Sequence, residues 1–559
     1  MKGITTLFAI LLLSSVGHGA KWWQTMSLYQ IYPRSFKDSD GDGVGDLNGV
    51  KSKLQHLVET NVEAFWLSPI YPSPMIDFGY DISNFTDIDS VYGSMADFEA
   101  LVKAAHDHSL KIIMDFVPNH SSDQHEWFQK SLRGIEPYTD YYVWHKGKVL
   151  PDGRVTLPNN WVSVFGGPAW TWSDERQAYY LHQFAPEQPD LNFNNENVVS
   201  AMKDVMRFWL DKGVDGFRVD AVPHLCEHKD FPDEPLTGNP NPNDYGYTEK
   251  IYTKDQQRTY DTVQGWREVL DEYPGDRVMM IEAYANMTMT MKYYRYGANF
   301  PFNFGLITNT NSNSSSSDFT DVISEWMREK GDKTANWVAG NHDKSRLVSR
   351  YGPIRAQFVT MMILLLPGVS VTYNGDEIGM EDTWISWEDT KDPQGCNAGK
   401  DHYETASRDP ERTPFQWDDT TSAGFSTNPK TWLPINKNYK TVNLAAEKAQ
   451  SNSYYALYKA VSDLRKWPAL KQGPLEYILS LEGMENFFAL KRRGWRSGEK
   501  SVYAYFNFDD KERSPLDVST EPLRVYYATT NAHSLIGKRV DKIQEEKIPA
   551  SAAVIYVSE

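Results

Sequence analysis

Five strand-like stretches end on residues that can do chemistry. LKIIMDFVPNH runs into Asp115, Asn119 and His120, GFRVDAV carries Arg218 and Asp220, and MIEAY carries Glu282. AGNHD closes on His342 and Asp343, and the GYD after VEAFWLSPI brings Tyr80 and Asp81. Taken singly, an aspartate after a strand is most often a helix cap, and a histidine there a hydrogen-bonded structural residue. Together they differ. Burying this many charges at one rim is costly unless they act on something. Paired carboxyls beside a fixed cation suit acid–base or nucleophilic work. Arg218 lies two residues before Asp220, on the same face of an extended run, and is expected to keep that carboxylate ionised. Glu282 has no such neighbour in the sequence. Like charges nearby are expected to raise its pKa.

These residues need a scaffold that brings strand ends together. Strand and helix patterns alternate along much of the 559 residues, which implies parallel βα units. Eight strands are expected near residues 28, 64, 111, 214, 277, 301, 335 and 369, enough to close a (β/α)8 barrel. Active sites of such barrels lie at the C-terminal ends of the strands. The alternation stops over residues 121–189, rich in Gly, Pro, Trp and Asp, where a structureless loop of that length is improbable and a small inserted domain is expected. The barrel then occupies 20–120 and 190–472, with a long irregular segment at 374–451. From 473 to 559 the runs FFALKRR, SVYAYFNF, RVYYATT and AAVIYVS predict a C-terminal antiparallel β domain.

The net charge of −18 argues against a nucleic-acid partner. Residues 1–19 (MKGITTLFAILLLSSVGHG) read as a secretory signal peptide, too short to span a bilayer. MMILLLPGVSV, at 361–371, reads as a buried helix running into a strand. A soluble, extracellular mature chain is expected. Cys226 and Cys396 are too few for a disulfide framework, and whether they pair is open. Glycosylation sequons stand at Asn84 (NFT), Asn119 (NHS), Asn286 (NMT) and Asn313 (NSS); Asn119 falls in an internal motif, where a glycan is not expected. Aromatic residues make up 13% of the chain, as for a large core or for surfaces that stack on ring-shaped ligands.

The segments DFVPNH (115–120), QPDLNF (188–193), GFRVDAVPH (216–224), IEAY (281–284) and GNHD (340–343) closely resemble the α-amylase superfamily of retaining glycosidases. The resemblance covers nearly the whole chain. YQIYPRSF, QPDLNF and RTPFQW are more similar to secreted insect α-glucosidases and maltases than to endo-acting amylases. It implies Asp220 as a nucleophile that forms a covalent glucosyl-enzyme, Glu282 as general acid and then base, and Asp343 as holder of the substrate hydroxyls. Retention requires two carboxyls roughly 5–5.5 Å apart, which adjacent strand ends can supply. It also implies His120 and His342 as donors to the sugar, Tyr80 stacked on the innermost ring, and His224 near the next. Asp81 with Arg412 would close the back of a one-glucose pocket, Arg408 being the weaker candidate for that role. Such a pocket implies exo-action on maltose, sucrose or short malto-oligosaccharides. Ala221 after the nucleophile resembles the α-1,4 and sucrose-cleaving type. Two other readings stay open: a non-catalytic relative, receptor or transporter heavy chain, and an enzyme that transfers glucose to a sugar instead of water.

DSDGDGVGDLNG (38–49) follows the first strand. Asp38, Asp40, Asp42, Val44 through its carbonyl, and Asp46 fall at calcium-loop positions one, three, five, seven and nine, with Gly43 at the turn. Position twelve is Gly49 where a calcium sensor needs glutamate. The resemblance implies a structural Ca2+ clip for the first βα loop.

Overall fold

The computed structural model describes residues 20–480, 486–515, 519 and 521–559. The expected signal peptide at 1–19 lies outside them. Eight parallel strands form one sheet: β1 (Ser27–Ile31), β2 (Ala64–Leu67), β3 (Lys111–Phe116), β4 (Gly216–Val219), β5 (Val278–Ile281), β6 (Phe300–Pro301), β7 (Asn336–Val338) and β8 (Val369–Tyr373). Hydrogen-bonded neighbours run β6–β5–β4–β3–β2–β1–β8–β7, so only the β6–β7 rung is missing from a sequential barrel. Pro301 has no N–H to offer there. The Asn336 amide fills the gap: Oδ1 accepts from Asn303 N at 2.8 Å and Nδ2 donates to the Pro301 carbonyl at 2.7 Å.

Residues of β1, β2, β4, β5 and β8 are buried throughout, as near-continuous apolar runs in parallel sheets require. The surrounding helices show the 3.6-residue period instead. In Glu196–Asp211, capped by the Asn195 side chain, Val198, Met202, Val205, Met206 and Trp209 form the buried stripe. Helix Pro353–Leu365 is buried nearly all round and leads directly into β8, as MMILLLPGVSV predicts. Among the described residues no helix is long and apolar enough to cross a membrane.

Two long excursions leave the barrel. The one after β3 holds the helix Glu126–Leu132 and an antiparallel sheet of Trp144–His145, Ala178–Leu181 and Trp170–Ser173, around a small core of Val143, Trp161, Trp170 and Leu181. The one after β8 contains only short helical turns before the helix Tyr454–Leu464. A six-stranded antiparallel sheet ends the chain, from Leu475–Ser480 to Ala552–Ser558. One face of it, with Phe488, Phe506 and Ile555, merges into the barrel's hydrophobic cluster. Both cysteines are free: Cys226 is buried in the main core and Cys396 is exposed after β8, so the open question of a disulfide is answered against pairing.

Candidate active site

Strand register assembles the centre. Asp115 of β3 lies opposite Arg218 of β4, and Arg218 opposite Met280 of β5, which puts Glu282 one step beyond the sheet beside Asp220. Arg218, 2% exposed, is the hub. Its Nη1 donates to Asp115 Oδ1 at 2.8 Å and to Asp220 Oδ1 at 2.6 Å, and its Nη2 reaches Glu282 Oε2 at 2.9 Å. Trp66 lies under the guanidinium, 4.9 Å from ring centre to Cζ. The cation expected for Asp220 alone therefore also serves Glu282, a correction to the sequence reading, which left Glu282 without one. Ala221 adopts a left-handed conformation (φ 49°), which turns its N–H onto Glu282 Oε2 at 2.9 Å. That bend ends the strand and carries the chain away over the pocket.

Burial dominates the protonation of this group. It pushes Glu282 up to about 8 against the pull of Arg218, with Asp220 and Asp343 adding to the rise. Asp220 rises less, to about 6, because Arg218 opposes burial and the Asp115 charge. Arg218 opposes this rise without cancelling it, because desolvation outweighs one shared cation. The order is nonetheless the one sequence implies, with Glu282 keeping its proton longer.

Asp343, after β7, has different company. Its Oδ1 accepts from Arg412 Nη2 at 2.7 Å and Arg408 Nη1 at 3.2 Å. Burial alone would raise Asp343, but His342, Arg408 and Arg412 reverse the effect and hold it far below the usual carboxylate range. His342 stacks on Tyr80, ring centres 5.3 Å apart, and receives Gln30 Nε2 at Nδ1 at 2.7 Å. Nδ1 is then the acceptor, so the proton sits on Nε2, 2.7 Å from the Tyr80 hydroxyl. Burial lowers His342 to about 3 and His120 to about 4, so both work as neutral imidazoles. His120 Nε2 lies 2.9 Å from the Tyr80 carbonyl.

A cavity of about 280 Å³ opens on these groups. Tyr80, His120, Asp220, His224, Glu282, His342 and Asp343 line it, while Arg218 and Arg412 lie behind the wall. The back of the pocket differs from expectation. Asp81 does not face it: its carboxylate accepts from Ser73 Oγ and from the Ile76 and Asp77 N–H groups, knitting its own loop. The pocket carboxylate is Asp77, paired with Arg408 Nη2 at 2.7 Å; Arg408 also holds Asp392 at 2.6 Å. Arg412 instead anchors Asp343 and the His342 carbonyl. The three residues between Asp77 and Asp81 form a turn with left-handed Phe78 and Gly79, which turns the two carboxylates apart. Phe165 and Phe184 from the insertion, Tyr245 and Lys254 from the chain after β4, Tyr284, Lys344 and Gln394 complete the mouth. Phe165, Phe184, Tyr245, Lys254 and Gln394 follow no strand directly, so strand-end reasoning had no means of finding them, whereas Tyr284 and Lys344 stand beside Glu282 and Asp343 in the strand-end motifs.

The acidic loop after β1 brings single carboxylate oxygens of Asp38, Asp40 and Asp42 within 4.8 Å of one another. Asp38 already accepts N–H groups of Asp40, Gly41 and Gly43. Gly43 (φ +97°) has no alternative there, since a Cβ would meet the Lys430 carbonyl at 2.4 Å. Asp46 departs from the expected ligand set: it accepts from Ser39 and from Gly49 N and caps the helix Leu47–Ser52. Asn84, Asn286 and Asn313 are exposed, and Asn119 is buried against Asp190.

A parallel eight-stranded barrel with two buried carboxyls sharing one guanidinium is the apparatus of a glycoside hydrolase. Residues 30–473 match the model of the alpha amylase catalytic domain, and the chain belongs to that family. It is similar to the alpha-glucosidase of Apis mellifera, 54% identical over 542 residues that cover 96% of this chain and 94% of that one. A salivary alpha-glucosidase of Anopheles gambiae is 47% identical over 508 residues, 86% of this chain and 85% of the other. Among solved structures, the alpha-glucosyl transfer enzyme XgtA superposes with a TM-score of 0.83 at 32% identity, covering 97% of this chain and all of that one.

Proposed function

We propose that the protein is a secreted, exo-acting α-glucosidase that hydrolyses terminal α-1,4-linked glucose with retention. The observation that carries this reading is the pair Asp220 and Glu282, from adjacent strand ends and both held on the two terminal nitrogens of one guanidinium, at 2.6 and 2.9 Å. An inverting enzyme keeps its carboxyls about 6.5–9.5 Å apart to admit a water between them; two carboxyls drawn onto neighbouring nitrogens of one guanidinium suit the roughly 5–5.5 Å of a retaining pair better. Asp220 attacks the anomeric carbon as the bond to the glycosidic oxygen breaks, and protonated Glu282 supplies the leaving oxygen with its proton. Glu282, now a carboxylate, takes a proton from water as that water displaces Asp220. Permanently charged Asp343 receives the sugar hydroxyls and favours the oxocarbenium-like transition state. Neutral His120 and His342 complete the polar cradle, and Tyr80 offers a ring face.

Exo-action draws support from the Asp77–Arg408 pair, 2.7 Å apart, both of whose residues line the small cavity that holds Asp220 and Glu282. Maltose, sucrose and short malto-oligosaccharides are the substrates this pocket suits. The α-1,4 preference draws support from Ala221, whose methyl leaves room beside Glu282. Secretion draws support from residues 1–19. Asp38, Asp40 and Asp42, with the Val44 carbonyl, are proposed to hold a Ca2+ ion that clips the first βα loop; in that role it takes no part in bond cleavage. NMR of the first products tests the reading: α-glucose is expected, and β-glucose would disprove retention.

A further inference from the structure

A second cavity, of about 640 Å³, lies on the far side of Tyr284. It is within the roughly 300–1,000 Å³ of small-ligand sites. Its floor is apolar and aromatic, from Tyr284, Phe302, Phe304, Val322 and Trp326. Tyr284 and Phe304 stack with ring centres 4.3 Å apart and planes within 10°. The rim is polar and includes Thr308, Asn309 and Glu325. An aromatic floor with a polar rim fits a pyranose ring, whose apolar faces stack while its hydroxyls meet the edge.

Asn286, the asparagine of the NMT sequon, stands on that same rim and is exposed. Its Oδ1 accepts the Met289 N–H and caps the helix Met287–Arg295, a role that a sugar on Nδ2 leaves intact. We propose that Asn286 carries an N-linked glycan and that its first N-acetylglucosamine rings fold back into this cavity. In the modification Asn286 Nδ2 forms a bond to C1 of a sugar activated as a lipid diphosphate. The C1–O bond breaks, the diphosphate leaves, and the amide loses one proton to solvent.

Tethering selects this occupant over a free sugar. A short linker gives an effective concentration on the order of millimolar, enough to fill a site that would bind a free monosaccharide weakly. The glycan then backs Tyr284, whose other side lines the catalytic pocket and whose hydroxyl receives Asn341 Nδ2 at 3.2 Å.

The test uses the secreted protein. Glycopeptide mass spectrometry establishes occupancy at Asn286, and endoglycosidase release is timed at that site in native and urea-denatured protein. Release at least tenfold slower in the native protein is expected. Thr308→Trp, which fills the cavity from its rim, should bring native release to within twofold of the denatured rate. Thr288→Ala removes the sequon but keeps the Asn286 cap, and should lower Tm with kcat unchanged. An unmodified Asn286 overturns the proposal, as does native release as fast as denatured. If Thr308→Trp does not fold, the native-to-denatured ratio in the unaltered protein decides.

Discussion

Two groups of buried carboxylates face one another across the catalytic pocket, and their arginines are shared differently. On the reacting side Asp115, Asp220 and Glu282 divide a single guanidinium, that of Arg218. On the holding side Asp343, Asp77 and Asp392 share two, those of Arg408 and Arg412. Desolvation alone raises carboxyl pKa values on both sides. One cation for three anions cannot offset it, and Asp115, Asp220 and Glu282 are all pushed up. Two cations hold Asp343 and Asp392 below their usual values, while Asp77 alone stays raised by burial. The count of arginines therefore separates Asp343 and Asp392, which stay charged, from the raised carboxyls around Arg218.

Asp220→Asn removes the proposed nucleophile and should cost roughly 10⁴-fold or more in kcat with the fold intact; appreciable turnover in a rigorously purified variant would end the assignment. Glu282→Gln should cost roughly 10²–10⁴-fold on maltose and far less on activated aryl glucosides. The same group sets a limb of the pH profile. In the unaltered enzyme kcat/KM should rise as Asp220 ionises through about 6 and fall as Glu282 loses its proton through about 8. In Glu282→Gln, assayed on an aryl glucoside, the alkaline limb should vanish; its persistence would assign that limb elsewhere. Asp77→Asn, on the holding side, should raise KM about tenfold, or ~1.4 kcal/mol, and leave both limbs in place. A moved limb would mean that the two sides titrate as one. Chelation should have the smallest effect, a fall of about 2–4 °C in Tm with rates at moderate temperature unchanged. An immediate loss of activity would place the proposed cation in the chemistry.

Much of the reacting side was legible because it sits on strands. Asp115, Arg218, Asp220 and Glu282 fall at fixed steps along short buried runs, and a parallel register can join them in only one way. The holding side was harder. Asp77, Asp392 and Arg408 come from irregular loops, where sequence distance says nothing about direction, and a tight turn decided that Asp77 and not Asp81 lines the pocket. Phe165, Phe184, Tyr245 and Lys254 reach the mouth from long excursions that carry no periodic signal. At 38–49 the spacing showed three converging aspartates, but Asp46 was claimed by the helix that begins beside it, a competition between cap and ligand that spacing cannot resolve.

The Asn336 amide between β6 and β7 has a mechanical consequence. A ring of strands held by backbone ladders on every side but one is a hoop with a clasp, and this clasp is a single side chain with two hydrogen bonds. Opening it frees β6 and the loop bearing Phe302, Asn303 and Phe304 while the other ladders remain whole. Amide exchange should therefore begin at Asn303, and the barrel should unroll from that seam.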